Sequence, residues 1–259
     1  MPQAVHVAPP VESDDTDRRR RAGERRAAVL DERMRSFLRM VSHELRTPLN
    51  SILGFSEIIA SELCGPLGAP QYKEYAGIIR SSGQRLLKLV NQVLEIARLE
   101  GRAADLDLSP EPLDHALDDA LDGLREDIAA NAVRIVVSDR GALPSVMADA
   151  RGLRTVLSNL IHNAVIFGPD GGEVRIEAQV EDGFVDVAVI DQGEGIDPDD
   201  APRLLRPFEQ GENALVRRAE GAGLGLPIVD LLCQAMGGRL RLENGEHGGL
   251  KAVARLPAA

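Results

Sequence analysis

The 259-residue sequence predicts a multidomain α+β protein, a helical hairpin followed by a separate α/β domain, and three observations carry that expectation. Apolar residues recur at helical spacing from Met34 to Leu63 and again from Tyr72 to Ile96, with a Gly-Pro break between them. Past Gly101 the pattern changes to short β-rich runs, Val133 to Val137, Val174 to Val180 and Phe184 to Ile190, alternating with helical stretches at 113–130, 151–166 and 223–236. Hydrophobic residues at 44% and charged residues at 27% match a globular chain able to bury a core. Boundaries read as 1–33 for a disordered tail and helix lead-in, 34–103 for the hairpin and 104–259 for the α/β domain.

In the tail, prolines and acids precede the run Arg18 to Arg21, which Glu24, Asp31 and Glu32 dilute into a solvated lead-in. In the first helix, at about 100° per residue with Phe37 as zero, Met34, Val41, Leu45, Pro48, Ile52, Phe55 and Ile59 fall within about 80° and form one stripe. His43 falls at about 240°, nearly the opposite face, and Thr47, one turn later at about 280°, shares that exposed side. Pro48 cannot hydrogen-bond the carbonyl of Glu44, so a kink is expected beside His43. Gly65-Pro66-Leu67-Gly68 ends the pattern.

After Pro70 a second helix carries Tyr72, Tyr75, Ile79, Ser82, Leu86, Leu89, Val93 and Ile96 at alternating three- and four-residue steps, broadened by Leu87, Val90, Leu94 and Ala97. A hairpin of about 65 residues buries too little surface alone, so two chains are expected to pair as a homodimer in a four-helix bundle. In the α/β domain, Glu181-Asp182-Gly183 is a short hairpin turn, which argues for antiparallel neighbours and against a doubly wound parallel sheet.

Thirty Lys plus Arg against forty-one Asp plus Glu, a net charge of -11, and 3% aromatic residues with no Trp argue against a nucleic-acid binder. Cys64 and Cys233 form no spacing motif and suggest a reducing compartment. With no 18-residue apolar run and no secretory pattern in MPQAVHVAPP, no membrane span is expected and the location reads as cytoplasmic.

The chemistry concentrates in five strings. Val41-Ser42-His43-Glu44-Leu45-Arg46-Thr47-Pro48-Leu49 places a histidine on the exposed face of the first helix. Asn159-Leu160-Ile161-His162-Asn163-Ala164, Asp191-Gln192-Gly193-Glu194-Gly195-Ile196, Arg206-Pro207-Phe208-Glu209-Gln210 and Gly221-Ala222-Gly223-Leu224-Gly225-Leu226 follow in order. Together they resemble the histidine box, N box, first glycine box, F box and second glycine box of sensor histidine kinases, over residues 35–257. The resemblance implies a dimerisation and histidine phosphotransfer domain, then an α/β sandwich ATP-binding domain of the histidine kinase/chaperone ATPase type. It implies ATP and Mg²⁺ as cofactors, a response-regulator receiver domain as partner, and phosphatase activity. Cys64-Gly65-Pro66-Leu67-Gly68 with Tyr72, Glu74-Tyr75-Ala76, Ile79, Ser82-Gly83 and Leu86-Leu87 also resembles the hairpin of PleC/DivJ-like kinases of alphaproteobacteria.

The residue chemistry agrees with those roles. A neutral imidazole offers a lone pair to phosphorus, so His43 is the candidate nucleophile, and adjacent Glu44 can hold the other ring nitrogen. The resemblance gives Thr47 the alignment of a water on a receiver phosphoaspartate. Asn159 and Asn163 share a helix face and can present neutral amide oxygens to one cation. By resemblance that cation is Mg²⁺, with Asn163 the direct ligand; otherwise both are polar surface. Asp191 ends an apolar strand and can accept from an exocyclic amine, while Gly193 and Gly195 admit a ring to the backbone; the resemblance reads the ring as adenine.

Gly221, Gly223, Gly225 and Leu226 lead into a helix whose free N–H groups favour phosphate, and Phe208 belongs to the F box before it. Residues 209–220 read as a mobile lid whose Arg217 and Arg218 could reach phosphates and otherwise are solvated, and His162 and His115 read as structural or surface residues. Three positions depart from the family pattern: Ile166 for a lysine, Gly168 for a threonine and Ala222 for a frequent threonine. Loss of an ammonium at Ile166 is expected to weaken ATP use, and it favours a rival reading, an ATP-independent phosphotransfer adaptor with a degenerate nucleotide domain. A chaperone- or topoisomerase-type ATPase is a third reading, opposed by the histidine box.

Overall fold

The computed structural model describes residues 45, 49–63, 65–100, 105–209, 222–245 and 248–259. The expected tail, His43, Glu44, Thr47, Pro48, Cys64, Gly221 and all of the expected 209–220 lid but Glu209 lie outside them. Among the described residues no helix is long and apolar enough to cross a membrane.

The hairpin pairs α1, helical over 49–60, with α2, Pro70–Glu100. Glu62, at φ 54°, opens the connection; its carboxylate accepts from the Leu67 amide at 3.3 Å and its carbonyl from Gly65 at 3.0 Å. The helices meet where α2 is thinnest. Ala76 and Gly83 are buried, and a Cβ added to Gly83 would lie 3.0 Å from Leu53 Cδ2. Arg80 and Glu57 join the helices by an ion pair of 2.6 Å.

This contact uses Leu49, Leu53 and Ser56, whereas the stripe expected from the sequence faces outward: Ile52, Phe55 and Ile59, then Tyr72, Tyr75, Ile79, Leu86 and Val93, are exposed. A helix with apolar residues over so broad an arc has two sides to cover, and one neighbour covers one of them. The last turns of α2 lie against the second domain, where Ile96 and Leu99 join its buried cluster.

The second domain sets helices α3 (Leu113–Gly123), α5 (Ala150–Phe167) and α7 (Gly225–Ala235) against a mixed sheet, with short α4 (Arg125–Ala130) and α6 (Ala201–Leu204) between. Strands β2 (Arg134–Val137), β4 (Glu173–Glu181), β5 (Phe184–Ile190), β7 (Leu250–Pro257) and β6 (Arg239–Asn244) lie in that spatial order. β2 runs parallel to β4 and the other pairs are antiparallel; β1 (Ser109–Pro112) and β3 (Ser145–Ala148) form a separate ribbon. The expected β4–β5 hairpin closes with Glu181 opposite Phe184, and Asp182 and Gly183 take φ 51° and 77°, the signature of a type I′ turn.

Val185, Val187 and Val189 alternate toward the helices with Ala252, Ala254 and Leu256, and pack with Leu153, Leu157 and Leu160 of α5 and Ile228 and Leu232 of α7. Each valine, leucine or isoleucine among them contributes about 1.5–3 kcal/mol relative to exposure, and each alanine less. Strands β6 and β7 escaped the sequence reading. Ala252 and Ala254 have low strand propensity, and Arg239-Leu240-Arg241-Leu242 alternates only over an edge.

Candidate functional site

Helix α5 starts where Asp149 caps it: one carboxylate oxygen accepts from the Gly152 amide at 2.8 Å, the other from Asp107 at 3.1 Å. Its apolar face goes into the core, leaving Asn159 and Asn163 together on a half-buried face. The Asn159 amide nitrogen donates to the Thr155 carbonyl at 2.8 Å, which orients its oxygen outward from the helix. That oxygen meets the start of α7. A Cβ added to Gly225 would lie 3.1 Å from Asn159 Oδ1 and 3.9 Å from Asn163 Nδ2. Helix α7 has no side-chain cap, so the glycine opening brings uncapped backbone amides beside two neutral amide side chains.

At the far end of α5, its carbonyls press on the loop after β5. A Cβ on Gly193 would come within 2.5 Å of the Phe167 carbonyl, so only glycine admits this approach. Asp191 is 5% exposed, and its Oδ1 accepts from the Gly193 amide at 2.8 Å and the Leu250 amide at 3.0 Å. Burial pushes its carboxyl pKa up, against the two amides that pull it down. Oδ2 takes no hydrogen bond from the described residues, so one oxygen holds the loop and the other is available.

The same loop is held at its other end by Asn244, at the end of β6. Asn244 Oδ1 accepts from the Ile196 amide at 2.9 Å while its Nδ2 donates to the Ile196 carbonyl at 2.8 Å. Gly249, at φ 79°, lets the β6–β7 turn pass Asp191: a Cβ there would sit 2.0 Å from the Asp191 carbonyl. Asn244, Gly249 and Leu250 hold the loop of the candidate site and were missed by sequence reasoning. Their one local signal is Asn244-Gly245 followed by Gly248-Gly249, which reads as an ordinary turn.

Phe208 and Gly223 meet across the two ends of segment 210–221. Phe208, at φ 66°, donates its amide to the Gly223 carbonyl at 3.1 Å, and Gly223, at φ 67°, runs so close that a Cβ would lie 2.6 Å from the Glu209 carbonyl. The Phe208 ring is exposed, Leu226 is half-buried, and Leu224 between them is buried. Gly195, at φ 72°, faces Asn244 Oδ1 at 2.5 Å from its added Cβ. The structure therefore brings Gly225, next to Leu226, against Asn159 and Asn163, joins Asp191 and Gly193 to the end of α5, sets Gly195 against Asn244, and ties Phe208 to Gly223.

Two departures have local explanations. A Cβ on Gly168 would lie 2.7 Å from the Ala164 carbonyl, and half-buried Ala222 packs against the core. Ile166 is half-buried in the last turn of α5. His115 is exposed on α3. His162 lies between Lys88 of α2 and Asp127 of α4, 3.9 Å from the latter; burial first, then Lys88, lowers its pKa, while Asp127 opposes.

Residues 33–102 match the His Kinase A (phospho-acceptor) domain, and residues 148–259 match the histidine kinase-, DNA gyrase B- and HSP90-like ATPase family. Histidine protein kinase DivJ of Caulobacter vibrioides is 40% identical over 225 residues, 85% of this chain and 37% of that protein. Cell-division control histidine kinase PdhS of Brucella suis is 37% identical over 210 residues, 77% of this chain and 20% of PdhS. The chain spans 20% to 42% of the length of the curated relatives it matches. Full-length ShkA, solved in complex with AMPPNP, superposes with a TM-score of 0.73 at 34% identity, over 86% of this chain and 46% of ShkA. Acinetobacter baumannii histidine kinase AdeS shares the fold, with a TM-score of 0.57 at 19% identity over 83% of this chain and 98% of AdeS. With a phospho-acceptor helical region and an ATPase-type domain matched in the order of the five sequence strings, the chain belongs to the sensor histidine kinase family and carries that family's catalytic core.

Proposed function

We propose that this chain is an ATP-dependent protein histidine kinase that phosphorylates His43, passes the phosphoryl group to an aspartate of a response-regulator receiver domain, and promotes hydrolysis of that phosphoaspartate. The observation that carries the reading is the convergence of Asn159 and Asn163 on the opening turn of α7, a short way along α5 from the C-terminal turn that supports the Asp191 loop. Phosphate suits one end of that span and a purine the other.

In this reading Asp191 accepts from the 6-amino group of adenine through the oxygen its backbone bonds leave available. Gly193 and Gly195 let the ring approach, and Gly221, Gly223, Gly225 and Leu226 present amides to the phosphates. Two neutral amides are too few to hold a divalent cation alone, so Asn163, with Asn159 beside it, fits a Mg²⁺ shared with the nucleotide phosphates. Such an ion neutralises charge on the transferring group.

His43 attacks the γ-phosphorus with the lone pair of one ring nitrogen; the N–P bond forms as the bond to the ADP oxygen breaks. Glu44 holds the proton on the other ring nitrogen and offsets the imidazolium charge. A receiver carboxylate then takes the phosphoryl group and the N–P bond breaks. In the hydrolytic direction Thr47 aligns the attacking water. The exposed stripes of α1 and α2 supply the dimer interface of a four-helix bundle.

The test is incubation of the chain with radiolabelled ATP, then with receiver domains. Wild type is expected to gain acid-labile, base-stable label and lose it to a receiver, while His43→Ala stays unlabelled and binds ATP within about twofold of wild type. Label of that chemistry persisting in His43→Ala would defeat the assignment. A chain that binds no ATP by calorimetry, yet accepts phosphate from a phosphorylated receiver, would establish the adaptor reading that Ile166 favours.

A further inference from the structure

Resting on the nucleotide reading above, we infer that Asn244 is a positioning residue for nucleotide binding: from the end of β6 it fixes the shape of the Asp191–Ile196 loop on which a purine would lie. The side chain makes both hydrogen bonds that one residue's backbone offers, accepting from the Ile196 amide at 2.9 Å and donating to the Ile196 carbonyl at 2.8 Å. Only a primary amide of this length presents an acceptor and a donor side by side in that way. The bonded pair spans 48 residues of sequence.

The contact does more than tie a loop to a strand. Asn244 stands opposite Leu250 in the β6–β7 ladder, and Leu250 is the residue whose amide and carbonyl hold Asp191. The base of a single turn, closed by a Gly245 to Gly249 hydrogen bond of 2.9 Å, therefore grips both ends of the loop, Asp191 through Leu250 and Ile196 through Asn244. Between them lies Gly195, at φ 72° and tight against Asn244 Oδ1. A loop of glycines has much backbone freedom to lose on binding, and holding it beforehand moves that cost into folding.

Three substitutions of Asn244 in the full chain separate this role from plain stability. Leucine keeps the volume and removes both bonds, serine keeps a short hydroxyl able to make one, and aspartate keeps the acceptor but sets a carboxylate against the Ile196 carbonyl. Calorimetry with ATP and, in parallel, with inorganic tripolyphosphate reads the base-binding and phosphate-binding halves separately. The expected result is an ATP dissociation constant raised about tenfold in Asn244→Leu, more in Asn244→Asp and about threefold in Asn244→Ser. Tripolyphosphate binding stays within twofold of wild type in Asn244→Ser and Asn244→Leu. In autophosphorylation the KM for ATP rises while kcat at saturation holds. ATP affinity unchanged in Asn244→Leu, or ATP and tripolyphosphate affinities falling together in Asn244→Ser, overturns the role of Asn244. A wild-type chain that takes up no ATP overturns the nucleotide reading along with it.

Discussion

The two halves of this molecule bury their apolar residues in opposite ways. In the hairpin, Phe55 is 67% exposed, Leu63 70% and Tyr72 58%, whereas in the α/β domain Leu153, Val156, Ile161 and Leu256 are wholly buried. Both halves follow the periodicity of their elements, yet only the second closes on itself. A sheet with helices across one face covers most of its large apolar side chains within one chain, with Leu108, Val180 and Phe208 exposed, while two helices in contact leave each other's flanks bare. The hairpin is thus incomplete within one chain, and in the proposed function a second copy completes it, whereas the α/β domain closes its own core and carries the proposed nucleotide site.

Charging the bare flank of the hairpin is expected to have the largest effect. Leu86→Asp, or Phe55→Asp on α1, is expected to raise the dimer dissociation constant about a hundredfold or more, roughly 2.8 kcal/mol, because the carboxylate would lose water in the seam without gaining a partner. Sedimentation should then show monomer, with ATP binding by the α/β domain preserved. A variant that stays dimeric at micromolar concentration would mean that the flank is solvent-facing by design.

A similar loss confined to the site is expected of Asp191→Asn. The amide keeps the Oδ1 acceptor used by Gly193 and Leu250, removes a buried charge, and replaces the available oxygen with a donor. ATP affinity should fall at least tenfold. Burial raises the carboxyl pKa, so the ionised form weighs against folding at neutral pH, and the ligand-free melting temperature should equal or exceed that of wild type. A lower melting temperature would make Asp191 a fold residue first.

The smallest effect lies at the seam between the halves. His162 has a pKa lowered by burial and by Lys88, so as pH falls through about 6.5 the unfolded chain takes up a proton that the folded chain resists. Its contribution is whole above that pH and lost below it. His162→Gln should flatten the acid-side decline in denaturant midpoint between pH 5 and 7, and Lys88→Ala should flatten it in part. An unchanged slope in both would place the sensitivity elsewhere.

What was legible in the sequence was local. The helical period of residues 72–96, the Asp182-Gly183 turn and the order of the nucleotide strings depend on neighbours a few residues apart, and each is in place wherever its residues are described. Convergence across the molecule was not. That α1 and α2 meet at Leu53 and Gly83 rather than along the stripe of Phe55 follows from where α2 is thin enough for close approach. That Leu250 holds Asp191 from 59 residues away, and Asn244 holds Ile196 from 48, follows from a sheet order that places β7 beside β5. Periodicity is written into the chain because each residue's backbone angles and facing are decided by near neighbours. A hydrogen bond between distant segments leaves no such trace, and exists only once burial of Val187 against Ala254 has drawn the strands together.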